Sequence, residues 1–166
     1  LYGGTALAFI FLKSVERLSV DLDFNYRHIG DVDWGVQRQQ IDENFKTILR
    51  YLGYSDEDIR ISPTYPMSRF TVKYVNHLGR PDDLLIETGY MRRIPVLGKD
   101  KEYDFYHMGT RRSFKVLAPL REELFSNKWC TMLYRGSSRD LFDVHKITKT
   151  SFDVGLFSGA AVVDSL

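Results

Sequence analysis

Two short motifs near the start of the chain constrain its fold more than any other feature. Gly3-Gly4-Thr5 opens an apolar stretch, and Asp21-Leu22-Asp23-Phe24 closes it. Side chains alternate between the two faces of a strand, so Asp21 and Asp23 should project from one face while Leu22 and Phe24 enter the core. Two carboxylates on one face supply the hard oxygen ligands that Mg²⁺ prefers. Together, a glycine turn and this acidic pair suit a nucleoside triphosphate and its divalent metal.

Composition sets broad bounds on the class of protein. The chain has 166 residues, of which 43% are hydrophobic, enough for one compact domain with a core. A net charge of +1 gives no global polyanion signature, so RNA contact would depend on local clusters of Lys and Arg. The single cysteine, Cys130, cannot form an internal disulfide, and neither a signal peptide nor a long uncharged apolar run is present. These features predict a cytoplasmic protein with no membrane contact.

Apolar periodicity predicts alternating strands and helices. The stretch from Thr5 to Leu12 reads as a buried helix with Thr5 at or near its N-cap, and Ser19 to Phe24 as a half-buried strand. A helix is expected from about Val36 to Leu52, where Gly53 stops it. The chain begins without a methionine at what reads as the end of a strand, which predicts a missing N-terminal element. The segment 155–166 also reads as cut short.

An antiparallel hairpin is predicted in the middle of the chain. Strands are expected at Ile59 to Ser62, Arg69 to Asn76 and Leu84 to Tyr90, with the last two joined by a turn that contains Gly79. Glu87 lies in the apolar run of the last strand. A buried carboxylate is costly unless it is paired or metal-bound, so Glu87 is either a metal ligand or the partner of Arg92 or Arg93.

The pattern changes to helices after Pro119. Lys128 falls within an apolar helical stripe that includes Leu124 and Met132, so it faces inward unless its side chain snorkels to the edge. Asp140 and Asp143 share a face in the first turn of the next helix, where the helix dipole favours acids. An acid and Lys128 are expected to meet across this helical hairpin, with Asp143 more typical of a salt-bridge or helix-start residue than of a catalytic one.

Basic and aromatic clusters raise the question of nucleic acid contact. Three local sets, Arg92-Arg93, Arg111-Arg112 with Lys115, and Arg135 with Arg139, are either phosphate contacts or ordinary solvated pairs. The aromatic segment 103–107 close to Arg111 either stacks exposed bases or packs as a loop on the core. The four histidines are widely spaced, and no zinc site is expected.

Four motifs in this order resemble the AbiEii/AbiGii toxin family of nucleotidyltransferases, a branch of the polymerase-β-like superfamily. The resemblance rests on the motif at residues 3–7, the motif at 17–24, the segment from Glu122 to Lys128, and Arg135-Gly136 followed by the motif at 139–143. It covers most of the chain.

The resemblance implies a fold, a division of the chain and a set of site residues. The fold is α+β, a minimal nucleotidyltransferase fold in which a mixed sheet is flanked by helices, with the core at residues 1–117 and a helical C-terminal region at 118–166. The glycine turn, Gly3, Gly4 and Thr5, would contact the β- and γ-phosphates. The implied catalytic and metal-binding residues are Asp21, Asp23, Glu87, Lys128 and Asp140, of which the first two hold Mg²⁺ or Mn²⁺ and Glu87 is the third carboxylate, serving a second metal or acting as base. Lys128 would supply a fixed positive charge near the triphosphate, with Asp140 holding it in place.

The implied activity is transfer of a nucleoside monophosphate from a nucleoside triphosphate to an acceptor, by the toxin of an abortive-infection or toxin–antitoxin system. The resemblance makes tRNA the acceptor to test first and a cognate antitoxin the expected protein partner. Two alternatives stay open. The acceptor is a small molecule or a protein hydroxyl, or the chain is a catalytically silent nucleotide-binding module.

Overall fold

The computed structural model describes residues 1–14, 16–17, 19–28, 30, 33–64 and 66–165. These form two compact units, Leu1–Asp23 with Ile94–Leu166 as the first and Phe24–Arg93 as the second. Leu18, part of the predicted second motif, lies outside the described residues. No helix in the described part of the chain has the length and apolar character needed to cross a bilayer.

The first unit begins with a helix that changes type along its length. It runs as α1 (Gly3–Ala6) and continues as a π-helical segment (Leu7–Leu12), which ends at Lys13 in a left-handed conformation. The predicted helix is confirmed, but its N-cap, expected at or near Thr5, lies three residues earlier. Tyr2 is the N-cap, and the Thr5 hydroxyl donates instead to the backbone oxygen of Asp21 at 2.7 Å.

The helix packs on elements from the far end of the sequence. The other elements of this unit are β5 (Asp100–His107) and β6 (Arg112–Pro119), which pair antiparallel, and the helices α3 (Arg121–Arg135), α4 (Ser138–Ile147) and α5 (Val154–Asp164). The core of this unit contains Leu7, Ile10, Phe105, Leu124 and Phe125, all buried. The hairpin of β5 and β6 was not predicted, because its charged residues break the apolar alternation. Segment 103–107 was expected either to stack bases or to form a loop, whereas it lies in β5.

The second unit contains one helix and most of a mixed four-stranded sheet, whose first strand spans the boundary between the units at Asp23 and Phe24. The sheet consists of β1 (Asp21–Asn25), β2 (Ile59–Thr64), β3 (Met67–Val75) and β4 (Pro81–Gly89) in the order β1-β4-β3-β2, and its helix is α2 (Trp34–Tyr51). The predicted hairpin of β3 and β4 is confirmed, with Phe70 opposite Ile86 and Arg69 opposite Glu87. Gly79 in its turn has φ +71°, and a Cβ there would meet nothing within 4 Å.

Aromatic packing and one buried polar network hold α2 on this sheet. Phe45 lies between Phe24 and Phe70, at centroid distances of 6.0 and 5.3 Å. Asp42 accepts hydrogen bonds from Ser68 (2.9 Å) and from the Tyr90 hydroxyl (3.0 Å). Burial raises the pKa of Tyr90 to about 12. The network satisfies polar groups that would otherwise be costly to bury.

The change from strand to helix lies at Pro119 and Leu120, close to the predicted division between 117 and 118. Compactness groups the chain differently, because α1 and the π-helical segment pack with β5, β6 and α3. The division of the chain at 117 therefore stays a prediction from the change of secondary structure. The segment that was expected to be cut short forms α5.

Candidate active site

Backbone hydrogen bonds join the glycine turn to the acidic strand. The Tyr2 N–H donates to the Asp23 carbonyl at 2.7 Å, and the Thr5 hydroxyl donates to the Asp21 carbonyl at 2.7 Å. Thr5 is only 4% exposed, so its hydroxyl has exchanged water for this one acceptor. The structure therefore brings together the two motifs with which the sequence opens.

Gly3 lies directly against the Asp23 carboxylate. Its φ is +64°, in the left-handed region that favours glycine, and a Cβ at this position would come within 1.7 Å of the Asp23 Oδ2 atom. The absence of a side chain at Gly3 is what lets the carboxylate lie beside the turn.

Gly4 is similarly close to two polar side chains. A Cβ on Gly4 would lie 2.8 Å from the Ser19 Oγ atom and 2.9 Å from the Arg17 Nη2 atom. The first intrahelical bond runs from the Ala6 N–H to the Tyr2 oxygen, so the N–H groups of residues 3–5 precede the helical ladder. The Ser19 hydroxyl, the Arg17 guanidinium and the N–H groups at the start of the helix therefore all lie close to Gly4.

The two aspartates of β1 provide oxygen donors that fit a divalent cation. Asp21 and Asp23 are two residues apart on one strand, so they share a face, and both are partly exposed. Within the described ranges the Asp21 carboxylate makes no hydrogen bond or ion pair, which leaves its oxygens available to a ligand. No group of three or more His, Cys, Asp or Glu side chains among the described residues is arranged to hold a metal ion. Of the predicted metal ligands, Asp21 and Asp23 are the two whose carboxylates share one face of a strand and so could bind the same cation.

Glu87 lies in the second unit, where Arg69 is its partner. Arg69 donates from Nε at 2.8 Å and from Nη2 at 2.6 Å, both to Glu87 Oε1, across the β3–β4 ladder. The alternative that Arg92 or Arg93 pairs with Glu87 assigned the wrong arginine, because sequence does not give the register of the hairpin. Its role as a third carboxylate stays a prediction.

Lys128 is buried and paired with Asp143. Its Nζ lies 3.1 Å from Asp143 Oδ2, and the side chains are 9% and 5% exposed. Asp143 also accepts from Arg17, at 2.9 Å from Nε and 2.8 Å from Nη2. The inward orientation of Lys128 is confirmed, and the snorkelling alternative was wrong. One buried carboxylate therefore fixes two cations, of which Arg17 reaches Gly4.

Asp140 was expected to hold Lys128 in place, but its carboxylate has other partners. Its carboxylate accepts from Arg135 at 2.6 and 2.8 Å and from the Ser137 hydroxyl at 2.5 Å. Hydrogen bonding to Arg135 holds the pKa of Asp140 well below its usual range. The acid that meets Lys128 is Asp143, one helical turn further on, for which the salt-bridge interpretation was correct.

Removal of the shared acid should cost more stability than removal of either cation. Asp143→Asn removes the carboxylate that Lys128 and Arg17 share and leaves buried Lys128 without its ion-pair partner, so we expect the free energy of unfolding to fall by about 3–5 kcal/mol. Lys128→Met leaves Asp143 paired with Arg17 and should cost less. Urea unfolding of both variants measures the difference; an equal or larger loss in Lys128→Met would contradict the shared-acid arrangement.

The Asp140 contacts predict a pH dependence of stability. Because its pKa is lower in the folded than in the unfolded chain, Asp140 stabilises the fold above about pH 4, and this contribution is lost as pH falls through the folded pKa. Asp140→Asn should therefore lower the free energy of unfolding by about 2 kcal/mol at pH 7, with a deficit that shrinks below pH 4. A deficit that is constant from pH 7 to pH 2 would contradict this.

Sequence reasoning gave no role to three residues beside the turn and α3. Arg17 and Ser19 lie inside the resemblance motif, and their proximity to Gly4 required coordinates. Glu123 is fully buried and accepts from the Leu97 N–H at 3.1 Å, which anchors the loop before β5. Its signal was available, since a second acid beside Glu122 at the start of an amphipathic helix falls on the buried face.

The described chain is α+β, with a mixed sheet, five helices and a glycine turn joined to an Asp-x-Asp strand, and it is consistent with a minimal nucleotidyltransferase fold. The chain belongs to the AbiEii family of nucleotidyltransferase toxins: a family model described as "Nucleotidyl transferase AbiEii toxin, Type IV TA system" matches residues 1–164. No curated protein and no solved structure matches the chain. The expected family and enzyme class are thereby confirmed.

Proposed function

We propose that the chain transfers a nucleoside monophosphate from a nucleoside triphosphate to an acceptor hydroxyl, as the metal-dependent toxin of a toxin–antitoxin pair. We further propose that it acts in the cytoplasm, that a cognate antitoxin is its partner, and that tRNA is the first acceptor to test. The observation that carries the proposal is the junction of turn and strand, in which Tyr2 and Thr5 bond to the backbone of Asp23 and Asp21.

The turn would bind the triphosphate through its main chain. The N–H groups of Gly3, Gly4 and Thr5 precede the helical ladder, and such groups donate readily to phosphate oxygens. The missing Cβ of Gly4 lets the Ser19 hydroxyl and the Arg17 guanidinium lie beside the turn, so a phosphate there would meet these donors as well as the N–H groups. Arg17, fixed by Asp143 beside Gly4, and buried Lys128 would add positive charge that needs no reorganisation during the reaction.

Asp21 and Asp23 would hold Mg²⁺ or Mn²⁺, with Glu87 proposed as the third carboxylate. The bound metal supplies neutralisation of the charge that develops on phosphate oxygens in phosphoryl transfer. Thr5 fixes the Asp21 backbone, and Gly3 leaves space for the Asp23 carboxylate, so both side chains start from a fixed main chain. Arg69 fixes the position of Glu87 on its own strand.

The test is transfer of label from α-³²P nucleoside triphosphates to candidate acceptors. The protein is incubated with Mg²⁺ or Mn²⁺ and, separately, with tRNA, total protein and small-molecule pools. Label in tRNA that disappears with a chelator supports the proposal. Label in protein or small molecules supports the same chemistry on another acceptor. Triphosphate binding without label in any pool identifies a silent binding module and overturns the proposed activity.

A further inference from the structure

The hairpin of β5 and β6 carries an aromatic stack. Phe105 is buried, and its ring stacks on Phe9 of the π-helical segment at 5.0 Å and on Phe114 of β6 at 4.9 Å. Phe114 is 52% exposed, so the stack ends on a ring that solvent reaches. Tyr106, 43% exposed, alternates with Phe105 along β5 and so lies on the other face of the hairpin.

A cavity of about 420 Å³ opens beside this stack. Its lining consists of Phe9, Lys13, Asp104, Tyr106, Met108 and Ser113. The volume falls within the roughly 300–1,000 Å³ of small-molecule sites, and two aromatic rings with a methionine are typical of a site for a planar ring. Polar groups on the lining can orient such a ring through its edge.

The surroundings of the cavity favour an anionic ligand. Lys13 lines it, and Arg111 and Arg112 lie at the hairpin turn, all exposed. The acid on the lining, Asp104, is paired with Lys115 at 2.7 Å. Lys13 and Arg111 are also the non-glycine residues of the described chain with positive φ, at 49° and 55°. Such backbone conformations carry strain and cluster at functional sites.

We propose that this surface, defined by Phe9, Lys13, Tyr106 and Arg111, binds a single-stranded nucleic acid. The cavity, which Phe9 and Tyr106 both line, takes one unstacked base, and Lys13 and Arg111 contact the adjoining phosphates. Aromatic faces flanked by cations are the combination that binds single strands independently of sequence. A duplex, whose bases are stacked inside, cannot fill the cavity.

The same helical stretch links this surface to the proposed active site. Phe9 lies six residues after Gly3, which corresponds to roughly 9 Å of helix. A strand held at the hairpin is thus positioned near the glycine turn within one compact unit. That the bound strand is the acceptor rests on the proposed function. That the hairpin binds a single strand can be tested without catalysis.

The test measures fluorescence anisotropy of a short labelled single-stranded RNA with the full chain, against the same RNA as a duplex and against a mononucleotide. Tyr106→Ala should weaken single-strand binding about tenfold, whereas Phe114→Ala, which removes an exposed ring from the other face of the hairpin, should bind as the parent does. Leu117→Ala, which removes an exposed apolar side chain from β6, is the matched control and should bind as the parent does. Thermal melting checks that all three variants fold.

The charge contribution is read from the salt dependence. Lys13→Asn with Arg111→Asn removes two charges while keeping residues that tolerate positive φ. The slope of log affinity against log salt should fall by about 1.4, at about 0.7 for each lost phosphate contact.

The outcomes separate this inference from the proposed activity. RNA binding that Tyr106→Ala does not weaken overturns the hairpin site, even if the parent transfers label. Equal binding of duplex and single strand, or binding of the mononucleotide alone, also overturns it. Hairpin-dependent binding of single strands without label transfer supports the site and counts against the proposed function. An Asp21→Asn variant should bind RNA like the parent.

Discussion

Asp21→Asn is expected to lower nucleotidyl transfer by about 10³-fold while leaving the fold intact. The substitution keeps the shape of the side chain and removes one of the two charges proposed to hold the metal, and loss of one preorganised electrostatic contact costs about 10²–10³-fold or more. Within the described residues the Asp21 carboxylate has no partner, so no stabilising contact is lost. The Thr5 hydroxyl bonds to the backbone of Asp21 and is unaffected.

The measurement combines label transfer with a metal titration and thermal melting. The matched control is Glu57→Gln, an exposed acid in the turn before β2, which should change neither activity nor metal dependence. Unaltered transfer by Asp21→Asn at low metal concentration would contradict the assignment of this carboxylate. Lost activity together with a large drop in melting temperature would show a structural role instead.

Gly3→Ala should disable the site through a single methyl group. The new Cβ overlaps the Asp23 carboxylate, from which it would lie 1.7 Å, so the carboxylate must move. A displacement of about 1 Å at a reacting centre costs on the order of 10²-fold in rate. The positive φ of Gly3 adds about 1–2 kcal/mol of strain to the folded state. We expect both activity and stability to fall.

Gly79→Ala separates these two effects. Gly79 has a similar φ, +71°, but a Cβ there meets nothing within 4 Å, so this variant carries the strain without the overlap. Both variants should lose comparable stability from the backbone, while only Gly3→Ala should lose transfer and metal affinity. Equal activity in the two variants would show that Asp23 does not need its position beside the turn.

The sequence predicted the elements whose pattern is local. The helix after the glycine turn, α2 and the hairpin of β3 and β4 were found from periodicity and glycine stops, because their apolar faces repeat within a few residues. The N-cap of the first helix was misplaced by three residues because Thr5 is a favoured N-cap type, whereas its hydroxyl donates to the Asp21 carbonyl. A tertiary contact here overrode a local preference.

Long-range pairing was beyond sequence reasoning. Lys128 was correctly expected to face inward and to meet an acid, but Asp140 and Asp143 lie on the same face of α4, and only coordinates show that Asp140 is taken by Arg135. Glu87 needed the β3–β4 register to reveal Arg69 as its partner. Arg17 lies 126 residues from Asp143, a separation that no periodicity reports.

The ties between Tyr2, Thr5 and the first strand end on main-chain oxygens, which every amino acid possesses. Substitution of the Asp21 side chain should therefore leave the backbone of the turn and the strand unchanged. Such a variant would separate the fold from the proposed activity, so any partner that recognises the folded surface should still bind it.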